Sequence, residues 1–387
     1  MNLPEVTVVI PCLNEADTLE TCICKAQQSF ADACIRGEIV VADNGSSDGS
    51  IEIATRLGVS VVPVTRKGYG SALDAGIRAA RAKFIVMGDA DDSYDFRETP
   101  KFVVKLREGF DLVQGCRLPV GGGRIMPGAM PISHRYLGNP MFSLMARHMF
   151  SAPIHDVYCG LRGFTKTLYL QLELRCTGME FATEMIIKAS LQKAKITEIP
   201  ITLHRDGRKS HAPHLKTVRD GWRTLRFFLL LSPEWLFFIP GCLLILLGLA
   251  GYAIALPGLS IGGINFDAHT LLFSSLAVLM GYQSILFAIF AKTFAINEGI
   301  FEEDAKFREF FTILNLERGL LLGVLSFLAG IILLGGAVWQ WRGVDFGHLD
   351  YSHTMRWVIS GVTLAALGFQ TVLSSFFVSI LGMKHKQ

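Results

Sequence analysis

The first 115 residues alternate short apolar runs with amphipathic stretches. The apolar runs are rich in β-branched residues, which is typical of strands, and the stretches between them have the apolar spacing of helices. The predicted strands are VTVVI (6–10), EIVVA (38–42), SVVPV (60–64), FIVMG (84–88) and DLVQG (111–115). Continuous apolar strands that alternate with helices predict an α/β domain with a mostly parallel sheet, covered on both faces.

The second half of the chain contains four much longer apolar runs. Each has about 20 residues or more with almost no charge, and a helix of that length crosses roughly 30 Å of hydrocarbon. A buried core helix is the alternative interpretation of one such run, but four in succession favour membrane spans. The predicted transmembrane α-helices cover about 236–256, 270–292, 319–340 and 357–381.

These patterns predict three parts: an α/β domain (1–218), a juxtamembrane amphipathic helix (219–234) and a transmembrane domain (235–387). The N-terminal residues do not have the basic and apolar regions of a signal peptide, so we expect none. Lys and Arg are concentrated before the first span, between the second and third spans and at the C-terminus, whereas the other loops hold only Arg342 and Arg356. By the positive-inside rule we expect an integral inner-membrane protein whose α/β domain and C-terminus are cytoplasmic.

The predicted juxtamembrane helix has two distinct sides. Its arginines, Arg219, Arg223 and Arg226, fall near one side, and apolar residues such as Phe228 fall near another. We expect the apolar side to insert into the acyl boundary of the bilayer, which would hold the α/β domain against the membrane. The stretch FEEDAKFREFFTIL (301–314) is predicted to be a second interfacial helix.

Composition and charge exclude several classes of protein. The 387 residues are 50% hydrophobic and 18% charged, with a mean hydropathy of +0.38. These values exclude a disordered chain and differ from those of an ordinary soluble enzyme. The net charge of +3 is too small to predict nucleic acid as a partner. The eight cysteines have neither zinc-type nor disulfide-type spacing, and we expect reduced thiols.

Polar loops follow the first four predicted strands, with the sequences PCLNEAD, DNGSSDGS, TRKGYGSA and DADDSYD. Because ligands of a parallel sheet bind beyond the carboxyl ends of its strands, these loops form the predicted site. Their acidity would repel an anionic nucleotide without a divalent cation. Asp89 and Asp91 offer hard oxygen ligands for Mg²⁺ or Mn²⁺, whose other ligands would be diphosphate oxygens. A solvated loop is the alternative interpretation.

The third of these loops, RKGYGSALDAGI, is rich in glycine and opens a helix. It follows the third strand rather than the first, and Gly68, Gly70 and Gly76 do not have the G-x-G-x-x-G spacing of a dinucleotide site. The start of a helix attracts phosphate, and Arg66 and Lys67 add positive charge. The segment is therefore predicted to lie near a phosphate, with a tight turn as the alternative.

Several motifs occur in a fixed order along about residues 4–255. The first are VVIPCLNEADTL, VVADNGSSDGS, RKGYGSALDAGI and the Asp-Ala-Asp of MGDADDS. The later ones are QGCR, GRIMPGAMP, HDVYCGLRGF, GMEFATEMI, DGRKS and RDGWRTLRFFLLLSPEWLF. In order and spacing the motifs resemble the family-2 glycosyltransferases of GT-A fold, and the later ones resemble their polyprenyl-phosphate branch, which contains dolichol-phosphate mannose synthases and bacterial polyprenyl-phosphate glucosyltransferases. The resemblance implies a nucleotide-sugar donor and a polyprenyl-phosphate acceptor.

The resemblance also implies roles for the polar loops. The implied ligands of the base and ribose are Pro11, Asn14, Glu15 and Asp43. Asp89 and Asp91 would bind the metal and the diphosphate. Some members of the family have Gln two residues after the second Asp, where this chain has Ser93. Asp156 lies in HDVYCG, which resembles the family's acidic motif beside the sugar, where it would recognise a hydroxyl or orient an arginine; a helix cap is the alternative.

Two anionic substrates require cations away from the metal. The candidates between positions 114 and 210 are Arg117, Arg124, Arg135, Arg162, Arg205, Arg208 and Lys209. We expect Arg117, Arg124 and Arg135 to bind the acceptor phosphate, and Lys209 to close over the donor diphosphate. The other residues expected to contact the bound substrates are Lys67, Gly68, Arg162 and Arg205. A basic face that only attracts anionic lipid is the alternative.

The predicted chemistry is an inverting transfer without a general base. A phosphate monoester has a second pKa of about 6, so the acceptor is already an anionic nucleophile at neutral pH. The metal would stabilise the leaving diphosphate as a Lewis acid, and direct displacement inverts the anomeric configuration. The residues predicted to act in the transfer are Asp91, Asp156, Arg117, Arg135 and Lys209. From the resemblance, UDP-glucose is the first expected donor and GDP-mannose the second.

Two other functions fit parts of the sequence. A processive polysaccharide synthase also joins this fold to membrane helices, but the sequence does not contain the Gln-x-x-Arg-Trp motif of those enzymes. A transporter or scaffold for a lipid-linked sugar would use the third and fourth spans, which do not have the ionisable residues of an ion-coupled transporter. Small residues along GLLLGVLSFLAGIILLGG permit close helix packing within the chain or between copies, so a homo-oligomer stays open.

Overall fold

The computed structural model describes residues 3–210, 217–261, 263–298, 301, 309 and 315–383. The chain divides into two compact units, Met1–Phe228 and Leu229–Gln387. The predicted interfacial helix at 301–314 lies outside the described residues except for its positions 301 and 309.

The first unit is built on a seven-stranded sheet of strand order β3-β2-β1-β4-β7-β5-β8. Its strands are β1 (Val6–Cys12), β2 (Gly37–Asp43), β3 (Ser60–Pro63), β4 (Phe84–Met87), β5 (Leu112–Cys116), β7 (Arg162–Thr165) and β8 (Ile196–Pro200). β7 runs antiparallel to β4 and β5, and the other neighbouring pairs are parallel. The predicted mostly parallel sheet is therefore confirmed. A separate two-stranded ribbon joins β6 (Arg124–Ile125) to β9 (Thr202–Leu203).

Helices cover both faces of this sheet, as the continuous apolar strands predict. The helices of this unit are α1 (Leu19–Asp32), α2 (Ser50–Arg56), α3 (Tyr69–Ala79), α4 (Thr99–Arg107), α5 (Asn139–Phe150), α6 (Lys166–Leu172), α7 (Phe181–Leu191) and α8 (Thr217–Leu230). Alternate side chains of β1 lie on opposite faces of the sheet. Val8 and Ile10 belong to the cluster that includes Ile23 of α1, whereas Val9 lies against Gly76 of α3, where a Cβ would meet it at 2.6 Å.

The strand register brings the predicted polar loops to one edge of the sheet. Cys12 at the end of β1 pairs with Asp43 at the end of β2, and Asp43 pairs with Pro63 of β3. Met87, at the end of β4, pairs with Val9 of β1. The loops after β1, β2, β3 and β4 therefore begin at neighbouring points.

The helix α8 differs from the expected arrangement. Phe228, expected in the acyl boundary, is fully buried. Its ring lies 5.9 Å from that of Phe142 and 5.6 Å from that of Phe150, both on α5. The expectation was wrong for this residue because α5 offers it an aromatic partner within the domain. The exposed side of α8 instead carries Trp222, which is 61% exposed, together with Arg223.

The second unit contains four helices long and apolar enough to cross a membrane, as predicted. They are α9 (Ile239–Ala255), which follows a π-helical turn at Glu234–Phe238, α10 (Ala268–Asn297), α11 (Leu316–Gly343) and α12 (Tyr351–Leu381). A short hairpin of β10 (Ser260–Ile261) and β11 (Ile264–Asn265) lies between the first two. α10 packs against both α9 and α12, and α12 packs against α11.

Glycines allow the helices of the second unit to approach closely. A Cβ on Gly330 of α11 would lie 2.6 Å from the carbonyl oxygen of Gly361 on α12. A Cβ on Gly241 of α9 would lie 2.8 Å from the carbonyl oxygen of Gly281 on α10. The small residues predicted to allow close packing in the third span therefore make contact within the chain.

Candidate active site

Hydrogen bonds join the loops after β1 and β2. Asn14 N donates to Ser46 Oγ at 2.9 Å, and Asn14 Oδ1 accepts from Ser47 N at 2.8 Å. Glu15 N donates to Ser50 Oγ at 2.9 Å. Asn14 has a φ of 59°, a conformation that Asn adopts more readily than most residues. Two of the predicted donor-binding residues, Asn14 and Glu15, therefore lie on a wall that is fixed to the β2 loop.

Two other predicted donor-binding residues belong to the strands themselves. Pro11 lies in β1 beside Ala42 of β2. Asp43 ends β2, is buried, and accepts hydrogen bonds from Gly45 N at 2.9 Å and Ser46 N at 3.1 Å. Asp43 therefore fixes the turn that follows its own strand.

The loop after β3 is tied to the β2 loop through Asn44. Lys67 Nζ donates to the Asn44 carbonyl oxygen at 2.6 Å, and Gly68 N donates to Asn44 Oδ1 at 2.7 Å. Gly68 has a φ of +134°, and a Cβ there would lie 2.2 Å from the Thr177 carbonyl oxygen. Only glycine fits this position. The predicted phosphate-proximal residues Lys67 and Gly68 thus face the β2 loop on one side and the segment around Thr177 on the other.

Asp89 and Asp91 follow β4, and each uses one carboxylate oxygen within the protein. Asp89 Oδ1 accepts from the Tyr69 hydroxyl at 2.8 Å. Asp91 Oδ1 accepts from Ser93 Oγ at 2.6 Å and from Ser93 N at 3.0 Å. Ser93 therefore orients Asp91 by a short local turn. A Cβ on Gly160 would lie 2.6 Å from Asp89 Oδ2, so the absence of a side chain there leaves room for that oxygen.

The negative charges of Asp89 and Asp91 are only partly balanced by neighbouring arginines. Burial raises the pKa of Asp89 to about 6, and the charge of Asp91 acts in the same direction. The hydrogen bond from Tyr69 and the charges of Arg208 and Arg117 oppose that rise. Burial and the charge of Asp89 also raise the pKa of Tyr69 well above its usual value, so Tyr69 stays a donor. An added cation would therefore stabilise the ionised form of Asp89.

The aspartates fit a divalent cation as partial ligands. Within the described residues, no group of three His, Cys, Asp or Glu side chains is arranged to hold a metal ion. Asp89 and Asp91 supply two hard carboxylates, each with a second oxygen, Oδ2, that accepts no hydrogen bond from the described residues. Mg²⁺ is commonly bound by one or two carboxylates, substrate phosphates and water. The donor set therefore suits Mg²⁺ or Mn²⁺ held jointly with a diphosphate.

A segment from the far end of the domain crosses the Asp89–Asp91 loop. Gly207 N donates to the Asp91 carbonyl oxygen at 2.9 Å. Arg208 Nε donates to Glu15 Oε2 at 2.8 Å, and its Nη2 lies 3.4 Å from Asp91 Oδ2. Burial lowers the pKa of Arg208, but the hydrogen bond to Glu15 and the charge of Asp91 have a larger effect in the opposite direction. The pKa of Arg208 therefore lies above its usual value. Arg208 thus joins the loops after β1 and β4. Its basic character is evident in the sequence, but this position is not.

Arg117 and Asp156 form a buried ion pair. The Asp156 carboxylate accepts from Arg117 Nε at 2.7 Å, Nη2 at 2.8 Å and N at 3.0 Å. Arg117 Nη1 donates to the Tyr94 hydroxyl at 3.3 Å. Asp156 is fully buried, and Arg117 is 8% exposed. Burial raises the pKa of Asp89, and the charge of Arg117 opposes that rise. Burial lowers the pKa of His134, and the charge of Arg117 adds to that lowering.

Glu198 on β8 supports this pair and was not predicted. Its Oε1 accepts from His155 N at 2.9 Å and Asp156 N at 3.0 Å, and its Oε2 lies 2.9 Å from His155 Nδ1. Glu198 therefore fixes the backbone of the residue that holds Arg117. The signal in the sequence is weak: one acidic residue within a short strand, ITEIP, that also contains a threonine.

The remaining predicted cations have different positions. Arg124 is exposed on β6, and Arg205 donates from Nε to the Pro127 carbonyl oxygen at 2.5 Å. Arg135 is half-buried, with its guanidinium 5.3 Å from the centre of the Tyr136 ring. Lys209 is exposed, and its backbone N donates to Asp17 at 2.9 Å.

Arg162, expected to contact a bound substrate, lies instead in the core of the domain. It is fully buried on β7, and it donates from Nη1 to the Ala182 carbonyl oxygen at 2.6 Å and from Nη2 to the Cys159 carbonyl oxygen at 2.8 Å. Burial lowers the pKa of Arg162. Its guanidinium therefore joins β7 to α7, and no part of it is exposed to a ligand in solvent.

Comparison with known proteins agrees with this architecture. Residues 7–171 match the model of glycosyl transferase family 2, and residues 289–382 match the glycosyltransferase family 2 C-terminal transmembrane region. The solved structure of glucosyl-3-phosphoglycerate synthase from Mycobacterium tuberculosis, in complex with Mn²⁺, UDP and glucosyl-3-phosphoglycerate, aligns with a TM-score of 0.47 and 19% identity, over 59% of this chain and 79% of that one.

Two curated relatives come from Haloferax volcanii. The low-salt glycan biosynthesis hexosyltransferase Agl6 is 35% identical over 382 residues, which are 98% of this chain and 89% of the relative. The dolichyl-phosphate hexose transferase is 32% identical over 167 residues, which are 43% of this chain and 69% of the relative. The expected integral membrane architecture, a GT-A domain followed by four transmembrane helices, is confirmed. The chain belongs to glycosyltransferase family 2, and its relatives fit the polyprenyl-phosphate branch.

Proposed function

We propose that the protein transfers a hexose from a nucleotide sugar to a polyprenyl phosphate, undecaprenyl or dolichyl, with inversion at the anomeric carbon. The observation that carries the proposal is the meeting of Asp89, Asp91, Glu15 and Arg208 at the carboxyl edge of the sheet, in a chain with four membrane helices. A hexosyltransferase and a dolichyl-phosphate hexose transferase among the relatives support it. UDP-glucose is the favoured donor and GDP-mannose the second.

The donor would bind along the edge formed by the first four loops. The base and ribose would contact Pro11, Asn14 and Asp43, where hydrogen bonds join the loops after β1 and β2. The diphosphate would reach Lys67 and Gly68 on one side. Lys209, which is exposed, would close over it from the other side.

Mg²⁺ or Mn²⁺ bound by Asp89 and Asp91 would neutralise the charge that develops on the leaving diphosphate. The chain's own residues prepare this position, since Tyr69 and Ser93 each hold one oxygen of an aspartate. Arg208 adds a fixed positive charge 3.4 Å from Asp91 Oδ2. Such preorganised charges stabilise a departing anion better than water does.

The transfer itself needs no proton acceptor. An oxygen of the lipid phosphate forms a bond to the anomeric carbon while the bond from that carbon to the nucleoside diphosphate breaks, and the electron pair leaves with the diphosphate. Because the phosphate monoester is ionised at neutral pH, with a second pKa of about 6, the nucleophile is ready without a base. The protein has only to align two anions and to screen their repulsion.

Arg117 is placed to screen that repulsion. Asp156 keeps its guanidinium in one orientation, and Nη1 donates to the hydroxyl of Tyr94, in the loop that holds Asp89 and Asp91. Arg124 and Arg135 would then receive the acceptor phosphate. The surface beside Arg135 also suits a bilayer, because Ile132 is 78% exposed and Leu137 is 67% exposed.

The distribution of Lys and Arg between the loops supports a cytoplasmic position for this domain and for the C-terminus. A nucleotide sugar made in the cytoplasm would then meet its acceptor at the inner surface of the membrane.

The test is a transfer assay with the purified full-length chain in detergent. Undecaprenyl phosphate is incubated with a panel of nucleotide sugars, with and without EDTA, and lipid-linked sugar is measured by mass spectrometry. We expect one preferred hexose donor, a β-linked product from an α-linked donor, and loss of activity in EDTA. The activity of the variant Asp91→Asn should be lower by roughly 10²-fold or more, because the variant removes one of the two carboxylate charges that would bind the metal.

The matched control for this variant is Asp92→Asn. Asp92 is the next residue of the same loop, but its carboxylate pairs with Lys25 at 2.7 Å. Its φ of 58° is one that Asn also adopts. Asp92→Asn should keep most of the activity. Activity that survives in Asp91→Asn, or that needs no divalent cation, would contradict the proposed donor site.

A further inference from the structure

One cavity of the α/β domain lies outside the residues proposed for the donor site. It has a volume of about 280 Å³ and is bounded by the end of β3, the first half of α3 and the segment 174–177. That volume lies just below the range of about 300–1,000 Å³ that is usual for small-molecule sites. Neither Asp89, Asp91 nor Asp43 is among its lining residues.

The charge of the cavity is positive. Arg66 and Arg175 line it from two different segments, and both are exposed residues. Neither guanidinium has an ion-pair partner in the part of the chain that the structure describes. The carboxylate that lines the cavity, Asp74, is already engaged by Arg78 Nε at 2.8 Å and by the Tyr169 hydroxyl at 2.5 Å. The two arginines are therefore available to an external anion.

A buried hydroxyl on the cavity wall also needs a partner. Ser71 lines the cavity and is 9% exposed, and its Oγ has no hydrogen-bond partner among the described residues. Buried polar groups without partners are uncommon and call for a missing ligand or water. Ser71 belongs to the first turn of α3, an eleven-residue helix whose amino end adds partial positive charge. The hydroxyl, the helix end and the arginines all favour the same kind of ligand.

Both walls of the cavity are held by hydrogen bonds. Asn44 Nδ2 donates to the Val64 carbonyl oxygen at 3.1 Å and to that of Arg66 at 2.9 Å. On the other wall, Arg175 N and Cys176 N donate to the Glu184 carboxylate at 3.0 and 2.8 Å. The two arginine-bearing segments are thus fixed before any ligand arrives, which lowers the entropy cost of binding.

We propose that this cavity binds a small phosphorylated anion at a site separate from the donor diphosphate. Arg66 and Arg175 would bind the phosphate oxygens, since the planar guanidinium suits phosphate. Ser71 Oγ is enclosed by protein atoms in this structure; on binding it would turn towards the ligand and donate the hydrogen bond that it does not make within the protein. Lys67, next to Arg66 in the sequence, is committed to the β2 loop, so adjacent cations of one motif serve two different sites.

The test uses the full-length chain in detergent with EDTA present and with inorganic phosphate and diphosphate as probes. Affinity is measured by isothermal titration calorimetry, and the place of binding by hydrogen–deuterium exchange. We expect added protection at residues 63–66 and 174–177. Arg66→Gln combined with Arg175→Gln should weaken phosphate binding by about tenfold or more, and Ser71→Ala by a smaller factor. Arg56→Gln, at an exposed arginine elsewhere, is the matched control and should not change it.

Binding at the donor site is distinguished by the same exchange experiment. Protection that appears at residues 43–48 and 89–93, instead of at the cavity, would overturn the proposal. So would unchanged phosphate affinity in the double arginine variant. Arg66 and Arg175 are exposed, so their replacement should leave the exchange of the core strands unchanged. The measurement involves no turnover, so failure of the transferase proposal would not alter its outcome.

Discussion

The buried ion pair of Arg117 and Asp156 allows a quantitative prediction about the variant Asp156→Asn. Asp156 is fully buried and accepts three hydrogen bonds from Arg117, at 2.7, 2.8 and 3.0 Å. Asn has one acceptor oxygen in place of two and carries no charge. The variant would therefore leave the guanidinium charge of Arg117 buried, with only part of its hydrogen bonding satisfied.

The expected cost follows from burial. Removing one partner of a buried ion pair destabilises a domain by about 3–5 kcal/mol, because the remaining charge is uncompensated. Arg117 N and Nε both donate to the same carboxylate oxygen, Oδ2, and an Asn oxygen in that place can still accept these two bonds, so we expect a value near the lower end, about 3 kcal/mol. At about 1.4 kcal/mol per factor of ten, this is a change of roughly a hundredfold in the unfolding equilibrium of the domain.

Hydrogen–deuterium exchange of the full-length chain measures this change in the α/β domain alone. Peptides from β5 and β8, which lie in the core next to the pair, should exchange roughly a hundred times faster in Asp156→Asn. The control is Glu20→Gln, which breaks an exposed pair with Arg56 and should cost less than about 1 kcal/mol. Transfer activity should fall as well, because Arg117 loses its fixed orientation.

A double-mutant cycle makes the prediction sharper. Arg117→Met removes the other charge, so Arg117→Met combined with Asp156→Asn should cost clearly less than the two single changes added together. Additive costs, or a loss below about 1 kcal/mol in Asp156→Asn, would mean that the buried charge is compensated by groups other than Asp156. The account of Arg117 as a charge held by Asp156 would then be wrong.

Three further changes test individual contacts. Gly330→Leu in α11 would place a side chain against α12 and should lower the melting temperature of the detergent-solubilised chain, whereas Gly335→Leu, at an open position, should not. Tyr252→Phe removes hydroxyl hydrogen bonds to α10 and α12 and should cost about 0.6–2 kcal/mol in the same melting experiment. Phe228→Ala should cost about 3–5 kcal/mol, measured as faster exchange of α8. Equal melting of the glycine variants, unchanged melting of Tyr252→Phe or unchanged exchange of α8 would contradict the respective contact.

The sequence predicted those parts of the fold that depend on local pattern. β1 to β5 and the four membrane helices are each marked by a continuous apolar run, and the structure confirms them. β7 was not predicted. It has only four residues, Arg162–Thr165, and its place between β4 and β5 depends on antiparallel pairing with strands far away in the sequence. No local pattern carries that information.

In the candidate site, too, the sequence predicts some features and not others. The edge of the sheet where Asn14, Asp43 and Asp89 lie could be predicted, because the carboxyl ends of parallel strands share one edge. The environment of each cation could not. Arg117 and Arg162 have the residue type of surface cations, yet they are buried by partners 39 and 20 residues away in the sequence. An arginine's sequence neighbours do not reveal which carboxylate or carbonyl oxygen will enclose it.

The position of Arg208, which the sequence does not reveal, matters for the chemistry. Its partner Glu15 is 193 residues away, and the two lie 2.8 Å apart, within hydrogen-bonding distance. The guanidinium lies 3.4 Å from Asp91 Oδ2, which is longer than a hydrogen bond. Arg208 is therefore anchored by Glu15 rather than by Asp91. A second cation could approach the Asp91 oxygen without breaking the bond that holds the segment around Arg208 across the loop.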